Sequence, residues 1–510
     1  MKTLMAITSL AVLAVMQLGV ATTSVMAQTA QAQDKPKMAT QTPPGIAAPA
    51  EVKTRLGILK TIDGFPDAAT IEKVYDNLDF QRGVQSVLTT MQGASLAAMR
   101  RGLRGLGPDN YTVAQFQTLM DSKTLFLTAN TTTVYNFLWV NTKEGPMVIE
   151  LPPKVLGMID DFWFRWVGDM GVTGPDKGKG GKYLVLPPGY KGSVPDGYFV
   201  MRPKTYNMWF FFRGFLENGS PAPAVASIKK NLHVYPLAKA ANPPQMNFVP
   251  VSGELFNTIG PIDFSFFEDI NSVVQDEPTA AMDPDNLGLL ASIGIVKGKP
   301  FKPDARMKKI LTEAAAVADI TARAIAYKSR IPAAYFYKNS AWGTPFVGGS
   351  YQFLQDGVRN LDARTYFFFV ATGITPAMSE KMIGRGSQYA VAFVDADGAR
   401  LDGGKTYKVH LPPNIPAKNF WSFTLYSNQS RSMLQTDQQF PSVGSLTKGI
   451  VVNSDTSVDV YFGPKAPAGK KNNWIQTVPG KGWFPILRLY SPLKPWFDKT
   501  WRPSEIELVK

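Results

Sequence analysis

Cysteine is absent from this chain, and histidine occurs twice in 510 residues. The first absence excludes disulfides, thiol nucleophiles, zinc–thiolate sites and iron–sulfur clusters, so core burial must hold the fold together. The two histidines, His233 in "KKNLHVYPL" and His410 in "YKVHLPP", sit in apolar surroundings where a lone imidazole is more often structural than a base. A metal site would need both of them plus a carboxylate, and no metal or cofactor is expected. Nucleophile motifs are missing as well. No Gly-x-Ser-x-Gly elbow occurs, and Ser227 to Lys230 fits Ser-x-x-Lys without that class's partner motifs. The glycine-dense loop 174–192 has no Ser or Thr after Gly-Lys, so it does not make a phosphate loop. Beyond the first 20 residues no apolar run reaches membrane-spanning length.

The start of the chain gives an address. Lys2, the uncharged run from Leu4 to Val20 and the small-residue site Val25-Met26-Ala27 are the three parts of a cleaved leader, with the cut after Ala27. A periplasmic or secreted protein without an integral span after leader removal is expected. Residues 28–54 are rich in Gln, Ala, Thr and Pro and read as a disordered segment. The 54 Lys and Arg against 40 Asp and Glu give a net charge of +14. These charges are scattered, and with export they argue against nucleic acid as a partner and for a soluble basic surface.

Two segments have helical period: residues 69–104 after Asp67, with Gly83 and Gly93 as candidate breaks, and a segment opened by Asp304 that ends before Pro332. Elsewhere the period is two. Residues 132–140, 162–169, 206–215, 419–427, 456–464 and 483–490 read as aromatic strands bounded by Pro, Asn, Asp and Gly. Asp395, Asp397 and Gly398 suit a hairpin turn better than a calcium loop. The expected fold is β-rich α+β, with antiparallel, jelly-roll-like β-sandwich modules at both ends and a mixed, partly helical middle. The expected divisions are 1–27, 28–54, 55–216, 217–345 and 346–510.

Strand parity selects the candidate site. In 483–490, Trp483, Leu487 and Leu489 share one side, while Phe484, Ile486, Arg488 and Tyr490 share the other. In 419–426 the split is Trp421, Phe423 and Leu425 against Phe420, Ser422, Thr424 and Tyr426. An Arg stem can lie against rings while its guanidinium reaches a ligand. Arg165 and Asp169, in an aromatic segment beside Asp160 and Asp161, need partners if desolvated. Tyr135, Arg165, Asp169, Trp421, Tyr426, Arg488 and Tyr490 are therefore the candidate ligand-binding residues.

The segments "NTTTVYNFLWVNTKEGPMVIELPP" and "GPDKGKGGKYLVLPPGYKGSVPDGYFVMRPKTYNMWFFFRGF" resemble the module called domain of unknown function 1254. "FVDADGARLDGGKTYKVHLPPNIPAKNFWSFTLYSNQSRSML", "VVNSDTSVDVYFGP" and "NNWIQTVPGKGWFPILRLYSPL" resemble its C-terminal companion, domain of unknown function 1214. The resemblance covers about 110–505 and implies an exported or envelope-associated bacterial protein built of β-sandwich modules, with no established activity. Where many members read Asn-x-Asp-Thr-x-Tyr, this chain runs from Asn130 to Tyr135 with Thr132 in place of the carboxylate, which weakens any acid–base or metal role for that motif. At the Asp-Gly-Ser position it has Asp455, Thr456 and Ser457, a turn variation. The leading expectation is binding of a carbohydrate or other envelope component in an aromatic, Arg-lined groove. The alternatives are a periplasmic hydrolase or lyase using carboxylate, Tyr and Arg residues in an interdomain cleft, and a homo-oligomeric scaffold.

Overall fold

The computed structural model describes residues 37–509, so the leader and its cleavage site lie outside the described residues. The chain divides into two compact units, one ending at Ile71 and one starting at Glu72. In the first, β1 (Glu51–Thr54) pairs antiparallel with β2 (Gly57–Ile62), and β2 with β3 (Phe65–Pro66). Residues 51–54, expected in the disordered segment, are thus strand; the positive φ of Gly57 (89°) closes the hairpin that pairs them.

The helix α1 (Ala68–Arg104) opens where the Asp67 carboxylate accepts the Thr70 N–H at 2.7 Å. Neither Gly83 nor Gly93 breaks it. A Cβ on Gly83 would lie 2.8 Å from Ala314 Cβ, and one on Gly93 would lie 2.8 Å from the Trp163 ring. These glycines let other elements approach the helix rather than end it.

The N-terminal module has two sheets. Its strands are β4 (Thr112–Gln115), β5 (Thr133–Asn141), β6 (Met147–Leu151), β7 (Val155–Asp161), β8 (Trp166–Gly171), β9 (Gly181–Val185), β10 (Phe199–Met201) and β11 (Asn207–Phe215). After α2 (Ala222–Asn231) come β12 (His233–Pro236) and β13 (Asn247–Pro250). The six-stranded sheet runs β13-β4-β5-β11-β7-β8 and the four-stranded sheet β10-β9-β6-β12, mostly antiparallel. Period-two alternation sends Leu138, Val140, Phe210 and Phe212 of the larger sheet and Ile149, Tyr183, Val185 and Val234 of the smaller into one cluster. The segment expected as one strand over 162–169 is a hairpin turn followed by β8. Asp161 Oδ1 accepts the backbone N–H of Trp163 (2.9 Å) and Arg165 (3.1 Å), and Phe164 takes φ 56°, so extended structure cannot continue.

The middle of the chain supplies α3 (Ser265–Asp276), α4 (Pro284–Ser292) and α5 (Ala305–Tyr327), the last capped by Asp304 accepting Met307 N–H at 2.7 Å. A short hairpin of β14 (Leu354–Gln355) and β15 (Val358–Arg359) precedes α6 (Leu361–Val370) and α7 (Pro376–Ser379).

The C-terminal module repeats the two-sheet arrangement. Its strands are β16 (Ser387–Val391), β17 (Tyr407–Leu411), β18 (Ala417–Ser427), β19 (Ser442–Gly444), β20 (Val458–Gly463), β21 (Trp474–Gln476), β22 (Trp483–Pro492) and β23 (Glu507–Leu508). They form the sheets β16-β22-β18-β19 and β21-β20-β17-β23. Trp421, Phe423, Leu425, Trp483, Leu487 and Leu489 face Val409, Val460, Phe462 and Ile475 in a second cluster. The turn at 395–398 is closed by Asp395 Oδ1, which accepts the N–H of Asp397 and Ala399 at 3.1 and 2.9 Å.

What joins the modules is a third, larger cluster. It takes the other face of the N-terminal sheet (Tyr135, Phe137, Trp209, Phe211) and the other face of the C-terminal sheet (Tyr426, Phe484, Ile486, Tyr389). Helices α1, α3, α5 and α6 fill it from the sides. The segments expected as separate divisions at 55–216, 217–345 and 346–510 all contribute to it.

Candidate functional site

The seven candidate residues fall into three places. Tyr135, Tyr426, Arg488 and Tyr490 meet in the central cluster, while Arg165 and Asp169 flank an outer groove. Trp421 faces the interior of the C-terminal module, away from both, because its parity matches Phe423 and Leu425. Arg165 and Arg488 line separate cavities with no shared residue among the described residues.

The outer groove measures about 700 Å³, within the ordinary range for ligand sites. The β7–β8 turn contributes Trp163, Phe164, Arg165 and Trp166; the β14–β15 hairpin and α6 contribute Phe353, Arg359 and Arg364; Tyr351 and Lys204 complete this wall. Asp161 Oδ2 accepts Arg165 Nε at 2.8 Å, which fixes the guanidinium at the rim. Trp166 donates to Asp169 at 2.9 Å and meets the Tyr351 ring edge-on at 5.3 Å. Asp169 also accepts the Thr375 hydroxyl at 2.6 Å, so it positions the indole instead of facing the groove. Burial raises the Asp169 carboxyl above its ordinary value, against the pull of those hydrogen bonds.

Two features of the groove stand out physically. Phe164 and Phe353 both hold φ 56°, a left-handed conformation that bulky side chains rarely adopt, and both rings line the wall. Arg364 has a buried Nε without a partner, and among the described residues no carboxylate lies within ion-pair distance of it or of Lys204. Burial, with the nearby Arg359, pulls Arg364 down to about 10, still cationic at neutral pH. The one acidic residue on the wall, Asp283, caps α4, accepting Asn286 N–H at 2.9 Å, and its charge also acts on Arg364.

The inner cavity is smaller. Arg488 on β22 is 3% exposed, and its Nη2 donates to the carbonyls of Thr128 (2.5 Å) and Ala129 (3.3 Å). Those carbonyls belong to the segment 128–135. In it Asn130 Oδ1 accepts Thr132 N–H and Thr133 Oγ1–H, both at 3.0 Å, and Asn130 N–H donates to the Tyr135 hydroxyl at 3.1 Å. Thr132 meets the Tyr490 hydroxyl at 3.3 Å. Tyr426 donates to the Ala129 carbonyl, and Phe420 stacks on Tyr490 with ring centres 4.0 Å apart. Burial pushes the hydroxyls of Tyr426 and Tyr490 up to about 12.

Sequence reasoning missed Arg213, Tyr389, Arg359 and Arg364. For Arg213 the signal was present: "FFFRGF" places one arginine in an aromatic strand as "FPILRLY" does. The pairing of Arg213 with Tyr135 across β11 and β5 could be known only from register.

Comparison with known families agrees with this two-module layout. Residues 111–236 match the model "Protein of unknown function (DUF1254)" and residues 386–494 match "Protein of unknown function (DUF1214)". The chain pairs DUF1254 with DUF1214. Among solved structures it is similar to the VPA0106 protein from Vibrio parahaemolyticus, with a TM-score of 0.53 at 18% identity over 85% of this chain and 100% of that one. That likeness shows a shared α+β fold. An uncharacterised protein from Burkholderia cenocepacia aligns over 86% of this chain and 96% of that one, at 12% identity and a TM-score of 0.39. No curated protein matches.

Proposed function

We propose that this DUF1254–DUF1214 protein is an exported binding protein for an acidic carbohydrate of the cell envelope, held in the outer groove. The carrying observation is the wall itself: Trp163, Trp166, Tyr351 and Phe353 beside the three cations Arg359, Arg364 and Lys204, with Asp283 the one carboxylate among them. Sugar rings stack on aromatic faces, and guanidinium groups hold carboxylates through two parallel hydrogen bonds. A volume of about 700 Å³ suits one or two rings. The first 27 residues support the export half of this reading.

A hydrolase or lyase reading would use Tyr135, Arg165, Asp169, Tyr426 and Arg488, of which Tyr135, Tyr426 and Arg488 meet and Arg165 and Asp169 lie elsewhere. The cavity that Tyr135 and Arg488 line has no carboxylate on its wall, and none of the tyrosines there has a base beside its hydroxyl, so binding is the better reading.

The test is equilibrium binding of oligo-uronates and neutral oligosaccharides to the full protein. Uronates should bind with an affinity that falls as salt rises, and Trp166→Ala and Arg364→Gln should each weaken them at least tenfold. Equal binding of neutral and acidic sugars, or none of either, would remove the proposal.

A further inference from the structure

The inner cluster carries a second inference, independent of the outer groove. Arg488 is a buried cation without a counter-charge. Its Nη1 has no hydrogen-bond partner, and its surroundings are carbonyls and the rings of Tyr389 and Tyr426, whose centres lie 5.8 and 5.5 Å from the guanidinium carbon. Neutral tyrosines do not balance it. Taking a guanidinium out of water is costly, and carbonyl dipoles offset that cost only in part.

A second arginine faces the same cavity from the other module. Arg213 on β11 is 8% exposed, lies 5.4 Å from the Phe211 ring centre, and has an unpartnered Nε. Neither arginine has a carboxylate within ion-pair distance, and no Asp or Glu lines the cavity among the described residues. Asp169 lies near enough for Arg213 to lower its pKa, so part of the Arg213 charge is balanced from outside. Among the described residues, no carboxylate on the cavity wall offsets the Arg488 charge.

The space between them has a definite size. The cavity holds about 40 Å³ open to the centre of a water-sized sphere, room for about three waters at roughly 10–15 Å³ each on that measure. Its remaining wall is largely apolar, with Phe211, Phe346, Phe367 and Phe484. A smaller pocket lined by Thr173, Thr375 and Ser387 shares Arg213, Phe211 and Met378 with it, so these three side chains stand between the two.

We propose that this inner cavity is an anion site for a small monocarboxylate of one to three carbons, its carboxylate held by Arg488 and Arg213 and its carbon end against the phenylalanines. A carboxylate matches the planar guanidinium fork. A single negative charge offsets the buried Arg488 cation, and a hydrated dianion such as phosphate would be harder to strip of water in so apolar a chamber.

The experiment is calorimetric titration and thermal unfolding of the full protein in sodium formate, sodium acetate, sodium phosphate and sodium chloride at equal ionic strength. Formate or acetate should raise the unfolding temperature saturably above chloride, as expected for a ligand that binds only the folded state. Arg488→Gln should weaken that binding at least tenfold, and Arg213→Lys, which keeps the charge but loses the fork, at least threefold. If Arg488→Gln does not fold, Arg213→Lys alone decides between the outcomes. The proposal is overturned if the carboxylates act no differently from chloride, if phosphate binds more tightly than either, or if a folded variant keeps the wild-type affinity.

Discussion

At the scale of single residues, the most telling position is Thr128. Its φ of 47° puts a β-branched side chain in the left-handed region, where such residues are strained by about 1–3 kcal/mol. The surroundings over-determine that conformation: Thr128 N–H donates to the Arg431 carbonyl at 3.0 Å while its own carbonyl receives Arg488. Arg431 itself holds φ 60° and lies over the Phe369 ring at 4.3 Å. The strain therefore aims a carbonyl at a buried guanidinium. Thr128→Asn, a residue that tolerates this region, should raise stability by about 1 kcal/mol. Urea unfolding of the two proteins measures it, and a lower midpoint in the variant would contradict the assignment of strain.

At the scale of elements, close approach governs the helices. Gly93 on α1 faces the β7–β8 turn, where an added methyl would meet Trp163 at 2.8 Å and Ile270 at 3.2 Å. Gly288 on α4 has nothing within 4 Å of a Cβ. Helix propensity alone would favour alanine at both by about 1 kcal/mol. Gly288→Ala should gain that amount, whereas Gly93→Ala should lose about 1–3 kcal/mol through overpacking and shift the turn bearing Trp163 and Arg165. Opposite signs in chemical denaturation, with a changed tryptophan emission only in Gly93→Ala, are the expected result.

Legibility also varied by element. Strands whose two faces go to different hydrophobic clusters, such as β18 and β22, showed their parity in the sequence, and Arg488 with Tyr490 on the face away from Trp483 followed from it. Helix α5 was legible from its Asp304 cap. The Asp161–Trp166 turn was not, because aromatic residues that pack around a turn look like strand residues when only their spacing is read. Gly83 and Gly93 looked like breaks because the Trp163 and Ala314 contacts that need them lie far away along the chain. The groove residues Arg359 and Arg364 come together with Arg165 only through packing, which local period does not encode.

At the scale of the whole molecule, buried carboxyls set the pH response. Glu277, just after α3, accepts N–H bonds from Tyr206 (2.6 Å) and Asn207 (3.1 Å) and from the Asn207 side chain (2.7 Å), tying α3 to the start of β11. Burial outweighs those bonds and pushes its pKa from 4.5 up to about 7. The folded value lies above the unfolded one, so the protonated form favours folding. That contribution is complete below pH 4.5 and is lost as pH rises through 7, on the order of 3 kcal/mol in all. Glu277→Gln leaves one donor without an acceptor at every pH but cannot titrate. Its stability should therefore fall less between pH 4.5 and 7.5 than the wild type's, measured by urea midpoints at matched ionic strength. Parallel profiles would show that Glu277 ionises in the folded protein as it does in the unfolded chain.

The central cluster has one further consequence. Thr128, Tyr135 and Arg213 come from one module, and Tyr389, Phe484 and Arg488 from the other, so both contribute to the wall of one cavity. Neither half is a finished object: parted from its mate, each would turn a sheet of phenylalanine, tyrosine and tryptophan to solvent. A substitution that enlarges a ring on one side must be accommodated by a smaller group across the cavity, so the packing of each half is set by the other.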